Sequence, residues 1–269
     1  MHYLASKHTG TICILGMPFD STATYRPGAR FGPMAIREAS HSLETFSPMQ
    51  EADLEDIDFM DMGDLELPFG NPEPALAIIE HSVSKIVSQG RIPFPLGGEH
   101  LISLGCLRAI TKEYQGLKII HLDAHADLRD MYLGQKLSHA TVIRRISEII
   151  GLESIRQIGI RSFAREERPL ANEILAEPEK IIDWASSSPC YISCDLDILD
   201  PSIFPGTGTP EPGGISFQQL IETLFEILRN LRVVGMDVVE LAPQLDPSGV
   251  SSVVAAKVVR ECLIALSPS

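Results

Sequence analysis

The segment HLDAHAD carries carboxylate and imidazole side chains at alternating positions directly after an apolar run. His121, Asp123, His125 and Asp127 have the same parity, so a continued extended backbone would point all four side chains to one side. The preceding LKII reads as a buried strand, and carboxylates that follow such a strand are costly unless they are paired or coordinated. The pattern therefore favours a metal site over a chance surface cluster.

Two further apolar runs end in similar residues. Asp195 and Asp197 lie two residues apart in SCDLDILDP, whereas Cys194 has the opposite strand parity and should point away. His100 follows two glycines in LGGEH and opens a helical pattern, although a His at such a position is more often simply exposed. Several strand ends of one sheet can converge on a single site.

Together these segments supply four carboxylates and two imidazoles. That is too much negative charge for one ion, so we expect two divalent cations. Oxygen-rich ligation without thiolate favours manganese over zinc. The candidate ligands are His100, Asp123, His125, Asp127, Asp195 and Asp197.

The elements that must position these residues are apolar runs that alternate with helical patterns. The runs at 11–16, 57–63, 91–97, 117–123, 155–160, 190–197 and 231–241 are typical of buried strands. Helical patterns cover 32–46, 74–89, 100–114, 216–230 and 248–266, and Ser216 with Gln219 forms a capping-box pattern.

Strands without alternation, each followed by a helix, predict a parallel sheet with helices on both faces. We therefore expect a three-layer α/β/α fold with a central, mainly parallel sheet. No repeat or composition break marks a linker, so residues 1–269 are expected to form a single domain. The long connections at 127–138 and 201–214 are candidates for functional loops.

Composition excludes several classes of partner. The net charge of -14 argues against nucleic acid or an anionic membrane as a partner. There is no signal-peptide pattern and no apolar stretch of membrane-spanning length, so a cytoplasmic location is expected. The five cysteines show no paired CxxC spacing and are read as reduced thiols.

The sequence resembles the ureohydrolase family, which contains agmatinases and arginases. The resemblance is carried by motifs that run in family order from Gly16 to Pro243, which is most of the chain. They are PFDSTATYRPGARFGP, LGGEHLIS, IIHLDAHADL, SHATVIRR, SCDLDILDPSIFPGTGTPEPGG and MDVVELAP.

The resemblance implies a site of two Mn²⁺ ions held by three pairs of ligands. One pair bridges both ions, one binds the first ion and one binds the second: Asp123 with Asp195, His100 with Asp127, and His125 with Asp197, respectively. Two such ions would lower the pKa of a shared water and give a hydroxide that attacks the guanidinium carbon.

Other roles are also implied by the resemblance. Asp127 would orient the hydroxide, Glu240 would bind the guanidinium through two charged contacts, and His139 would protonate the departing amine. His121 matches no family ligand, so a hydrogen-bonded supporting role or a core role is expected for it. Glu99 replaces the usual Asp of the family motif and, as a non-ligand, is expected to have little effect.

The substrate class follows from the connection LRDMYLGQKLSH. Arginase-like members place Asn and Ser there to hold an amino-acid end, whereas this chain has Arg129 where the Asn is expected. DLRD with Tyr132 and Gly134 resembles agmatinases, so a small cationic guanidino compound is the expected ligand. The expected reaction converts agmatine and water to putrescine and urea, in a homo-oligomer, either a trimer or a hexamer.

Several alternatives stay open. Guanidinobutyrase, guanidinopropionase and arginase share the same core motifs. Two alternatives come from other classes: a deacetylase-like hydrolase with one zinc, and a binding relative without catalysis. Zinc deacetylases would not need both Asp pairs, and non-catalytic relatives normally lack ligands. Two manganese ions per chain, one zinc ion or no metal would distinguish these three classes.

Overall fold

A seven-stranded parallel sheet forms the centre of the computed structural model, which describes residues 1–267. The strands, in chain order, are β1 (Ile12–Met17), β2 (Phe46–Ser47), β3 (Ala52–Asp53), β4 (Phe59–Asp64), β5 (Ile92–Gly97), β6 (Lys118–Leu122), β7 (Ile155–Ile158), β8 (Pro189–Asp195) and β9 (Arg232–Val239). The large sheet has the order β4-β1-β5-β9-β8-β6-β7, and β2 pairs with β3 in a separate antiparallel hairpin.

Within residues 1–267, eight α-helices follow or flank these strands. They are α1 (Gly32–Ser40), α2 (Pro72–Val87), α3 (Ile102–Glu113), α4 (Val142–Ile150), α5 (Arg168–Ile174), α6 (Ile181–Ala185), α7 (Phe217–Asn230) and α8 (Val250–Leu266). Within the described part of the chain, no helix is both long enough and apolar enough to span a membrane.

Two apolar cores lie on opposite faces of the sheet, which explains why its strands lack polar alternation. In β6, Ile120 and Leu122 belong to the core covered by α1, α7 and α8, whereas Ile119 belongs to the core covered by α2, α3 and α4. Both faces are buried because helices cover each of them. The predicted three-layer α/β/α fold is confirmed.

Helix boundaries differ from the sequence-based expectations where tertiary contacts intervene. The helix predicted over 32–46 ends at Ser40, and Phe46 lies instead in the hairpin strand β2, where the Ser47 hydroxyl donates to the buried carboxylate of Glu261 at 2.7 Å. The helix predicted from residue 100 begins at Ile102 because the His100 amide donates to Glu240.

Other helices were displaced or missed. The predicted helix 74–89 begins at Pro72, since the Asn71 side chain accepts from the Glu73 amide and caps it. Helix α4 was not predicted, although Val142, Ile143 and Ile146 have helical spacing. Helices α5 and α6 have 7 and 5 residues, too few for a periodic pattern.

The predicted capping box at the start of α7 is confirmed and can be tested by mutation. Ser216 Oγ accepts from the Gln219 amide at 3.2 Å, and Gln219 Oε1 accepts from the Ser216 amide at 2.9 Å. We expect Ser216→Ala to lower the free energy of unfolding by about 1 kcal/mol, measured as the midpoint of urea denaturation. Ser88→Ala is the control, because that exposed hydroxyl donates to the Lys85 carbonyl at the end of α2. Equal midpoints for the two variants would contradict the capping role.

Candidate metal centre

Four neighbouring strands supply the side chains of the site. In the sheet they follow one another as β5, β9, β8 and β6. His100 follows β5, Glu240 follows β9, Asp195 ends β8 and Asp123 follows β6. Carboxyl ends of parallel strands meet at one edge of a sheet, where such folds bind ligands. The convergence expected from sequence is therefore present.

The parity expected for HLDAHAD is only partly correct. Strand β6 ends at Leu122, and the backbone of Asp127 has a left-handed φ of 54°, so the chain does not continue in the extended conformation. His125 instead forms an isolated parallel bridge with Ser162. As a result, Asp123 and Asp127 face His100, whereas His125 faces a different partner.

The carboxylates and imidazoles form two groups that share Asp123. In the first, His100 Nδ1 lies 3.0 Å from Asp123 Oδ2, 3.3 Å from Asp127 Oδ2 and 3.3 Å from Asp195 Oδ2. In the second, His125 Nδ1 lies 2.9 Å from Asp197 Oδ2 and 3.6 Å from Asp123 Oδ1. All six predicted ligands are thus brought together around two positions.

Polar atoms without hydrogen bonds show that this donor set suits cations. Within residues 1–267, the buried polar atoms without a hydrogen-bond partner include His100 Nδ1 and Asp123 Oδ2. The distance between them is short, but the angles do not meet hydrogen-bond geometry. Buried polar atoms are normally satisfied, so convergent ligand atoms of this kind fit a bound metal.

The electrostatics lead to the same conclusion. Burial, reinforced by the negative charges of Asp197 and Asp123, raises the pKa of Asp195 well above its usual range. Burial and the charge of Asp123 likewise raise the pKa of Asp197. Carboxylates crowded in this way need a positive charge among them to remain ionised.

Glu240 occupies a strained position beside the cluster. Its backbone φ is 68°, a left-handed value that is unusual for a residue other than glycine. Its amide donates to the Gly98 carbonyl, and its Oε1 accepts from the His100 amide at 2.8 Å. Burial and the nearby Glu99 raise the pKa of Glu240 to about 8.

His139 lies across the cavity, at the start of a short 3-10 turn (His139–Thr141) capped by Ser138. The ring of Tyr132 stands edge-on to its imidazole, with 5.7 Å between the ring centroids. Burial lowers the pKa of His139. The loop 127–138 therefore carries this imidazole back to the edge of the sheet.

These residues line one cavity with a volume of 370 Å³. All eight predicted site residues line it, and its outer walls include aromatic and charged side chains. The wall residues are Tyr25, Arg129, Tyr132, Phe163 and Glu167.

Several supporting residues were not found from sequence. Ser193 Oγ lies 2.8 Å from His100 Nε2 and donates to Asp237 Oδ1, also at 2.8 Å. Asp237 Oδ2 accepts from the hydroxyls of Tyr191 and Ser103 at 2.6 and 2.7 Å. The available signal was the presence of Ser193 and Asp237 inside otherwise apolar strands, where a polar group must have a partner.

His121 is held in one tautomer by its neighbours. Gln157 Nε2 lies 2.8 Å from the Ala126 carbonyl and 2.9 Å from His121 Nδ1. A carbonyl only accepts, so the amide nitrogen must face it, and its second proton then points to Nδ1. The His121 proton therefore lies on Nε2, 2.9 Å from Asp123 Oδ2. This geometry agrees with support of Asp123 rather than metal ligation.

A three-layer α/β fold with acidic and imidazole groups gathered at its strand ends is the arrangement of a metal-dependent enzyme. The model of the Arginase family matches residues 10–265. The chain therefore belongs to the arginase family.

Individual relatives agree with this assignment. The chain is 45% identical to the agmatinase of Bacillus anthracis, over 94% of this chain and 91% of the relative, and 43% identical to that of Bacillus subtilis, over 93% and 90%. The solved structure of the agmatine ureohydrolase of Thermoplasma volcanium is 32% identical with a TM-score of 0.89, over 98% of this chain and 94% of that one.

Replacement of the shared carboxylate tests the metal centre. We expect Asp123→Asn to lose metal binding and activity together, because Asp123 belongs to both groups. Metal per chain, measured by elemental analysis after dialysis, checks this result. Asp183→Asn, an exposed position on α6, is the matched control. Retention of two tightly bound ions in Asp123→Asn would refute the assignment.

Proposed function

We propose that the chain hydrolyses agmatine to putrescine and urea. The observation that carries this proposal is the single cavity lined by all eight predicted site residues in a member of the arginase family. The similarity to agmatinases over nearly the whole chain supports agmatine as the substrate.

Two Mn²⁺ ions would be held by the six ligands named above, with Asp123 and Asp195 shared between them. The crowded carboxylates and the unpartnered atoms at His100 and Asp123 support two cations. When bound, such ions supply a nucleophile from water at neutral pH.

The remaining roles belong to side chains around the cavity. Glu240 binds the guanidinium, and the positive charge of that group restores the ionised state that burial opposes in this carboxyl. Asp127 orients the attacking water as a hydrogen-bond acceptor. His139 passes a proton to the departing amine.

The outer part of the cavity suits an ammonium group. Glu167 offers a carboxylate there, beside the aromatic side chains of Tyr25, Tyr132 and Phe163. Arg129 also lines the cavity, but its guanidinium lies 3.6 Å from Glu166 and 3.7 Å from Glu167 and stands over the ring of Tyr132. Its charge is therefore compensated by neighbouring acids.

Guanidinobutyrate hydrolysis is the second candidate function. It is favoured by the position of Arg129 in the cavity wall, because a guanidinium that exchanged Glu166 for a substrate carboxylate would bind a guanidino acid.

For either substrate, we propose that residues 1–269 form a single domain and that the protein is a homo-oligomer in the cytoplasm. The unbroken sheet supports the first point.

Substrate selectivity tests the proposed function. With manganese present, agmatine should show a kcat/KM at least about 1,000-fold above that of arginine, because the cavity offers no described Asn and Ser pair for the α-carboxylate and α-ammonium. Urea release is measured for agmatine, arginine and guanidinobutyrate. Arginine or guanidinobutyrate turned over as fast as agmatine would reject the substrate assignment and leave the ureohydrolase chemistry intact.

The role of His139 is tested separately. His139→Ala should retain both metal ions and a similar KM, whereas kcat should fall by about 100 to 10,000-fold through loss of the proton donor. Metal content is measured beside the urea assay. His81→Ala, a solvent-exposed position on α2, serves as the control. Metal loss in His139→Ala would mean that His139 is a ligand.

A further inference from the structure

Glu99 lies between Gly98 and the metal-facing His100, yet its side chain belongs to neither metal group. It is fully buried, and it stands where the family motif has the shorter Asp. A buried carboxylate must be satisfied by donors. The hydrogen-bond donors to this carboxylate therefore indicate the role of Glu99.

Within the described residues, the Glu99 carboxylate accepts hydrogen bonds from Thr22 and lies beside the Ala23 amide, both in the loop that follows β1. The Thr22 hydroxyl donates to Glu99 Oε1 at 2.6 Å, and the Thr22 amide lies 3.0 Å from Oε2 and 3.2 Å from Oε1. Glu99 therefore fixes both the backbone and the hydroxyl of Thr22.

The same hydroxyl contacts His139. Because its single proton is donated to Glu99, Thr22 Oγ1 meets His139 as an acceptor. It accepts from the His139 amide at 3.0 Å and lies 3.5 Å from the imidazole Nδ1. A chain of hydrogen bonds thus links the strand end at β5 to the His139 backbone, whose imidazole Nδ1 also lies 3.3 Å from Ser138 Oγ.

Backbone contacts hold the loop within reach of Glu99. The Glu99 amide donates to the Phe19 carbonyl at 2.7 Å, and the Gly98 amide donates to the Met17 carbonyl at 2.9 Å. A Cβ on Gly98 would lie 1.9 Å from the Phe19 oxygen, so only glycine permits this approach. The distance between Glu99 and Thr22 is therefore set by rigid backbone.

We propose that Glu99 is a positioning residue that acts through Thr22 to place His139 for turnover. The role in turnover rests on the proposed function, whereas the Glu99–Thr22–His139 link is a feature of the folded chain alone. This proposal gives a role to Glu99 in the GGEH motif, where the presence of Glu in place of Asp was expected from the sequence to have little effect.

A double-mutant cycle in the manganese-loaded enzyme tests the role in turnover. Thr22→Val and Glu99→Leu should each lower kcat by about 10 to 100-fold, since small displacements of a reacting group have effects of this size. KM and metal content should be unchanged. The double variant should be no slower than either single variant, because both remove the same link.

Two further variants separate geometry from charge. Glu99→Gln keeps an acceptor oxygen for the Thr22 hydroxyl without the charge, so it should recover most of the kcat lost in Glu99→Leu. Thr11→Val is the matched control, because Thr11 is exposed and its hydroxyl donates to the Asp58 carbonyl. Multiplicative effects in the cycle, or a Glu99→Gln variant as slow as Glu99→Leu, would overturn the proposal.

Hydrogen exchange tests the link without any turnover. The peptide that contains the His139 amide should exchange faster in Thr22→Val and Glu99→Leu than in wild type, Glu99→Gln or Thr11→Val. Unchanged exchange in both variants would overturn the link. A wild-type enzyme inactive on every guanidino substrate would instead refute the proposed function, and the exchange result would still decide whether Glu99 positions His139.

Discussion

Repulsion among buried carboxylates is the constraint on which the rest of the structure depends. Asp123, Asp127, Asp195 and Asp197 meet at one edge of the sheet with two imidazoles, and burial, reinforced by their mutual charge, raises the pKa of Asp195 and Asp197. An arrangement this unfavourable persists only when cations offset it and when the scaffold prevents the side chains from separating. Four adjacent parallel strands, buried on both faces, provide that scaffold.

The scaffold fixes the site through buried partners and strained backbone. His100 is oriented by Ser193 and Asp237, and Asp123 lies against His121, whose tautomer is fixed by Gln157. Asp127 and Glu240 both adopt left-handed backbone angles. Strain of this kind, of about 1–3 kcal/mol per residue, survives only where surrounding contacts determine the conformation. The contacts that hold the strand ends in place therefore also hold the negatively charged side chains close together.

The sheet and the proposed ligands could be predicted from sequence because both depend on local order. Apolar runs without alternation indicate buried parallel strands, and acidic residues at their ends indicate coordination. What could not be predicted depends on residues that are distant in sequence. The helix over 32–46 ends early because Ser47 contacts Glu261, and His125 leaves the common face because the chain bends after Leu122. The importance of Glu99 was missed because its partner, Thr22, lies 77 positions away.

This geometry gives the strand ends and the loops different roles in the proposed binding of substrate. In the proposed function, the guanidinium end of any substrate would meet the strand ends, where the groups are fixed by the sheet and cannot distinguish agmatine from arginine. The far end would meet Tyr25 from the loop after β1, Arg129 and Tyr132 from the loop after β6, and Phe163 and Glu167 from the loop after β7. Loops tolerate substitution far better than buried strand ends. Differences in substrate within such a fold are therefore expected to arise in these loops, and Thr22 and His139 join the loops after β1 and β6 through a direct hydrogen bond. A change that alters selectivity in the loop after β1 is consequently constrained by the position of the His139 imidazole in the loop after β6.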